Sequence, residues 1–226
     1  MHAERAIKFL FCFTLVLACA FIIPNGKAAI LYPQAPEGGV QAVSNALDSK
    51  FLKPVTHLPP AKDLTISMPV GVYYYVLKYT NLFSGQFLSA TRLSAWRFFL
   101  ADVTNSAALQ LGYDAKKEEW QVTEWTFYHA RSKSSDPFLQ TLRVAENLPQ
   151  VKEQDYELRY LDLVQFPFSA FWLHGKSNDI IIPVPMYGKW QDLRPYSESE
   201  MTGILKREME EKMKQPRYKA PGIPVG

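Results

Sequence analysis

The chain has 226 residues, long enough to bury a core without disulfides or metals and short enough for a single domain. Its 25 Lys and Arg against 22 Asp and Glu give a formal charge of +3 with no basic block on one arm or face, which excludes an electrostatically driven nucleic-acid binder. Aromatic residues make up 14% of the chain, and their placement, rather than its charge, is the compositional lead to function.

Residues 1–28 read as a signal peptide. Arg5 and Lys8 precede the apolar run Phe9 to Ile23, and the polar break Pro24-Asn25-Gly26-Lys27 follows. Cleavage after Ala28 would leave Gly26 and Ala28 as the small residues the peptidase requires. The apolar run falls short of the roughly 20 residues a bilayer core demands. A lipoprotein reading competes, because Val16-Leu17-Ala18-Cys19 partly matches the box in which Cys19 would be acylated. Any membrane association is therefore expected only through an uncleaved or lipidated leader. Both cysteines, Cys12 and Cys19, lie here, so the remainder carries no disulfide or cysteine nucleophile. A cysteine-free exported domain points to the bacterial periplasm or secreted space. Arg5, Lys8, Lys27 and Glu4 account for +2 of the formal +3, leaving the remainder near neutrality.

Residues 29–70 read as a linker holding a short helix, in which Val40, Val43, Leu47 and Phe51 recur at helical spacing. Four prolines between Pro54 and Pro69 break regular structure. Residues 71–215 form the β-rich domain with a C-terminal helix. Strands are predicted at Val72 to Thr80, Trp96 to Ala101, Ala108 to Tyr113, Trp120 to Tyr128, Leu139 to Val144, Tyr156 to Val164, Phe168 to Leu173 and Ile180 to Val184. A helical turn is placed near Gln86 to Leu93, and "ENLPQVKEQ" reads as a loop. In "YELRYLDL" Tyr156, Leu158 and Tyr160 share one face, but Leu161 and Leu163 take the opposite parity, which predicts a bulge or bend. "FPFSAFWLHG" is apolar at both parities, so that strand should be covered on both sides and turn at Gly175 to Asp179 into Ile180. Ser197 and Glu200 have capping-box spacing before a helix over 198–214 striped with Met201, Ile204, Leu205, Met209 and Met213. Residues 216–226, with three prolines, read as a mobile tail. The expected fold is α+β, an antiparallel sheet of about six to eight strands with an N-terminal and a C-terminal helix packed on or beside it.

No sequence motif carries chemistry outright. His57, His129 and His174 are isolated, so no metal site is expected. No Ser sits on a Gly-flanked elbow, and the phosphate-binding glycine patterns are missing, so no cofactor is expected. The candidate ligand or partner residues are Trp96, Arg97, Arg159 and His174. Trp96 and Arg97 should lie on opposite faces, with Arg97 ion-paired to a neighbour such as Asp102 or Glu124 in the structural reading. His174 sits where the hairpin meets water.

Two segments, "LSATRLSAWRFFLAD" and "YELRYLDLVQFPFSAFWLHGKSNDIIIPVP", resemble a loosely defined set of exported bacterial proteins of unknown function. The shared elements are Ala90 or Ala95 with Trp96-Arg97, the Glu157-Leu158-Arg159 strand, the Ala170-Phe171-Trp172-Leu173 strand, and the acidic turn and strand Asp179 to Pro185. Ala95 stands where that pattern has Gly. The resemblance implies export and a shared β scaffold, and no mechanism.

The leading expectation is an exported, non-enzymatic protein that binds an unknown protein or glycan partner in the envelope through its sheet or strand-end loops. The alternatives are a cofactor-independent hydrolase assembled around His129 or His174, which needs a His within hydrogen-bond reach of a Ser or carboxylate, and a sugar-binding module with exposed Trp rings.

Overall fold

The structure is a computed structural model that describes residues 28–48, 65–66, 69–74, 82, 85, 87–101, 106–128, 136–163, 166, 168–185, 190 and 192–214. The leader with Cys12 and Cys19, together with His57, Asp102, His129, Pro167 and the tail, lies outside these residues. In chain order the elements are β1 (Ile30–Leu31), α1 (Gly39–Asp48), β2 (Thr65–Ile66), β3 (Val70–Tyr74), β4 (Arg92–Ala101), β5 (Ser106–Asp114), β6 (Glu119–Tyr128), α2 (Pro137–Glu146), β7 (Tyr156–Leu163), β8 (Phe168–Gly175), β9 (Asp179–Pro183), β10 (Tyr196–Ser197) and α3 (Glu198–Lys214). Short 3-10 turns occupy Leu88–Ala90 and Pro149–Lys152, the second within the segment read as a loop.

The fold is α+β with an open, mostly antiparallel sheet. Its path runs β10-β9-β8-β7-β3-β4-β5-β6, with β1 beside β7 and β2 beside β4 off that path. Hairpins of Val-, Tyr-, Phe- and Trp-rich segments account for the antiparallel pairs. The exceptions are β3–β7 and β1–β7, which are parallel. Because β3 and β7 are parallel, the chain must cross over between them, and α2 lies on that crossover.

Alternation along each strand sends side chains to two faces. One face buries Val70, Val72, Leu158, Tyr160, Phe171, Leu173, Ile180 and Ile182 against Phe138 and Ala145 of α2. The other carries two clusters. Leu161, Leu163, Phe168, Ala170, Trp172 and Ile181 pack with Met201 and Leu205 of α3. Phe98, Leu100, Ala107, Leu109 and Leu111 pack with Val43 and Leu47 of α1. Val40, placed on the same stripe by spacing, is exposed.

This two-sided cover corrects one expectation. The register of β7 against β8 runs unbroken from Tyr156 to Leu163, so no bulge absorbs the change of parity in "YELRYLDL". Leu161 and Leu163 enter the second cluster while Tyr156, Leu158 and Tyr160 enter the first. Bulges do occur between Val72 and Tyr73 against β4, and between Gln110 and Leu111 against β6. At the second, Thr123 is the extra residue; Gly112 makes room for it, since a Cβ there would lie 2.7 Å from the Thr123 methyl.

A second correction concerns Leu139 to Val144, expected as a strand and found inside α2. The deciding signal is Asp136-Pro137. The buried Asp136 carboxylate accepts from the Phe138 and Leu139 amides at 2.8 and 3.1 Å. Pro137 occupies the first turn, where no amide is required. The capping box at α3 forms as read: Ser197 N donates to Glu200 Oε2 at 2.9 Å and Glu200 N donates to Ser197 Oγ at 3.3 Å.

Asp136→Ala is expected to destabilise the protein by about 1–2 kcal/mol, the upper range for a lost N-cap, because the freed Phe138 amide is buried and that of Leu139 partly so. Urea unfolding of the two proteins, with unchanged m-value, measures it.

Candidate functional site

The structure distributes the four candidate residues over both faces of the sheet. Trp96 pairs with Gly71 and Gly71 with Arg159, so Trp96 and Arg159 lie in one row on the face that carries α1 and α3. Trp96 is half-buried against the α1 cluster. Arg159 is enclosed. Its guanidinium carbon lies 4.7 Å from the Tyr73 ring centroid and 4.6 Å from that of Trp172. Its Nε and Nη2 donate to the two carboxylate oxygens of Glu157 at 2.9 and 3.3 Å. Arg159 thus spends its charge on Glu157 and on two aromatic faces, which is a structural use.

His174 stands in the next row of the same face, between two acidic residues. Its cross-strand partners are Glu157 on β7 and Asp179 on β9. Nδ1 of His174 is 2.7 Å from Asp179 Oδ1, and Trp172 Nε1 donates to that same oxygen at 2.8 Å. Facing a carboxylate oxygen, the imidazole in its neutral form carries its proton on Nδ1 and its lone pair on Nε2, which is hydrogen-bonded to no described residue. The His174 side chain is 41% exposed, whereas Trp172 is 3% exposed. Glu198, at the start of α3, accepts from the Leu88 amide at 2.9 Å. Burial raises its pKa, opposed by that amide and reinforced by Asp179.

The turn after His174 is held in place. Ser177 Oγ donates to Gln154 Oε1 at 2.8 Å and Tyr156 Oη donates to Asn178 Oδ1 at 2.7 Å. Gln154 Nε2 donates to Tyr156 Oη at 2.6 Å and also contacts Asn178 Oδ1. Gly175 is required for this closure, because a Cβ would meet Tyr156 Cε1 at 2.5 Å and the Asn178 carbonyl oxygen at 2.7 Å.

Arg97 lies on the opposite face and is only 3% exposed. Its Nη2 donates to Gln110 Oε1 at 2.6 Å, and its guanidinium carbon sits 4.2 Å from the Tyr160 ring centroid. Glu124 and Asp162 approach the same Nη2 at 3.6 and 4.0 Å. Glu124 is thus the ion-pair partner expected from the sequence, joined by Asp162, which the sequence reading did not single out. Burial opposes the guanidinium charge, but Tyr160, Glu124, Asp162 and Tyr74 outweigh it and raise its pKa. For Asp162 burial is the larger influence, and its pKa rises despite Arg97. Of the neighbours Trp96 and Arg97, it is the charged residue that is buried more deeply.

Asp179, Glu157 and Asp162 stand beside the candidate residues, and the sequence reading did not single them out. Asp179 had a readable signal: in a tight hairpin centred on Lys176-Ser177, His174 and Asp179 must face each other. Among the described residues, no three His, Cys, Asp or Glu side chains are placed to hold a metal ion. No described helix is long and apolar enough to cross a membrane. Comparison of the chain with protein-family models, with curated proteins and with solved structures gives no match.

Because the pKa of Asp162 is raised in the folded protein, its protonated form is favoured by folding. Its contribution is fully present below the unfolded value of about 3.9 and is lost as pH rises through the folded one. Relative to Asp162→Asn, the wild-type protein should therefore gain stability as pH falls from neutrality to about 4. Urea unfolding of both proteins across that range tests the slope.

Proposed function

We propose that this is an exported, non-enzymatic protein of the bacterial envelope or secreted space that binds a partner through the strand ends of β7, β8 and β9. The leader, the lack of cysteine beyond Cys19 and the resemblance to exported bacterial proteins support export. The observation that carries the binding surface is the row Glu157–His174–Asp179. It presents a half-exposed imidazole held by Asp179 beside a turn already tied down by Gln154, Tyr156 and Asn178. Such a surface loses little conformational freedom on binding.

The sheet edges support this role less well. β6 ends the strand path, but its bulge at Thr123 interrupts regular pairing with an added strand. β10 has two residues and runs directly into α3. A platform of exposed Trp rings is also less favoured, since Trp172 is buried and tied through Nε1 to Asp179.

One observation favours a second reading. An Asp-anchored His whose Nε2 is hydrogen-bonded to no described residue matches the general-base half of a hydrolytic site, as the hydrolase alternative requires. Among the described residues, no Ser or Thr hydroxyl is hydrogen-bonded to His174.

A photo-crosslinking residue placed at Lys176 should capture a discrete partner in intact envelopes, with loss of the product in His174→Ala. The same residue at Met213 on α3 should not capture it. Equal labelling from both positions would exclude the strand-end surface. If the hydrolase reading holds, the purified protein should turn over activated esters. His174→Ala and Asp179→Asn should then each lower the rate by about 10²–10⁴-fold, the usual share of a general base.

A further inference from the structure

The Arg97 cluster has hydrogen-bonding capacity that the described residues do not use. Arg97 can only donate, so the Gln110 oxygen must face it, and the amide nitrogen of Gln110 then faces Tyr74, to whose oxygen it donates at 2.6 Å. The Tyr74 hydroxyl is therefore an acceptor in that bond, and no described residue accepts its own hydrogen. On the other side, the carboxylates of Glu124 and Asp162 accept no hydrogen bond from any described residue. Their distances to Arg97 Nη2, 3.6 and 4.0 Å, exceed the 2.7–3.2 Å range of N–H···O bonds. Of the five N–H donors of the buried guanidinium, one reaches a described acceptor within hydrogen-bond distance. The cluster is open to solvent, because Glu124 is 48% and Asp162 21% exposed and Tyr74 is half-buried.

We propose that this cluster is a binding site for a saccharide, an uncharged ligand rich in hydroxyl groups. A hydroxyl both accepts and donates, so one placed between Arg97 and a neighbouring carboxylate satisfies both at once. An anion reaching Arg97 would meet Glu124 and Asp162. A cation attracted to those carboxylates would meet Arg97. Tyr74 supplies a further donor at the rim, and Gln110 fixes the orientation of the set. The site draws on β3, β4, β5, β6 and β7, and it lies on the opposite face of the sheet from His174, so it stands independently of the partner surface proposed above.

The test is saturation-transfer NMR on the full cleaved chain with glucose, N-acetylglucosamine and glycerol, using acetate and ammonium as charged controls. A saturable signal is expected from at least one of the two saccharides and from neither control. Tyr74→Phe and Glu124→Ala alter partly exposed side chains, and an unchanged amide spectrum away from the substitution verifies that each variant is folded. Each should weaken binding about fivefold, the effect of one ordinary hydrogen bond. The proposal is overturned if neither saccharide saturates, if acetate or ammonium binds more tightly, or if both variants bind like the wild type. A crystal soaked with the saccharide that shows only water in the cluster would also sink it.

Discussion

The parallel pairing of β3 with β7 is the constraint on which the rest of this structure depends. Without it the chain would form two separate antiparallel units, β3 to β6 and β7 to β10, each with an open central edge. The four-residue seam, Gly71 to Tyr74 against Arg159 to Asp162, joins them into one sheet. It also assembles the two arginine clusters. Tyr73 from one unit lies against Arg159 and Trp172 from the other, and Arg97 from the first faces Tyr160 and Asp162 from the second. Neither cluster exists within a single unit.

The two faces of the seam use arginine in contrasting ways. Arg159 is neutralised by a direct, two-point contact with Glu157 and wrapped by aromatic rings, which leaves little charge for a ligand. Arg97 is buried more deeply but held by a neutral amide, with its carboxylates set back. Isolating a buried charge costs several kcal/mol, and breaking such a pair about 3–5 kcal/mol. The position of Arg97 is thus expensive, and its neighbours are arranged to offset that cost without closing the hydrogen-bonding shell.

Much of the sheet was legible because β-branched and aromatic residues cluster between polar turns, and the strands on either side of the short hairpins follow directly from that pattern. Where the reading failed, the reason lies in tertiary cover. Leu161 and Leu163 look out of phase only if one face of β7 lacks apolar cover, and each face has a buried cluster. Leu139 to Val144 has strand-like composition, yet Asp136 and Pro137 set a helix start that local composition masks. The His174–Asp179 pair follows from hairpin arithmetic once the turn is known. Asp162 could not be found from sequence, because its approach to Arg97 runs through the β3–β7 seam, and nothing local specifies which strand lies beside β3.

That seam also sets the order in which the chain can complete itself. Roughly 90 residues separate β3 from β7, so during synthesis at about 5–20 residues per second β3 would wait roughly 5–20 s for its neighbour. Over that interval its outer row of amides and carbonyls is uncovered beside Val70 and Val72, a surface on which another strand could pair wrongly. Pairings so distant in sequence also form late, because the loop they close must be fixed before they contribute. The junction that unites the finished sheet is therefore the most exposed part of the unfinished one, and a holding factor that shields nascent β3 would act at the step where misassembly is most damaging.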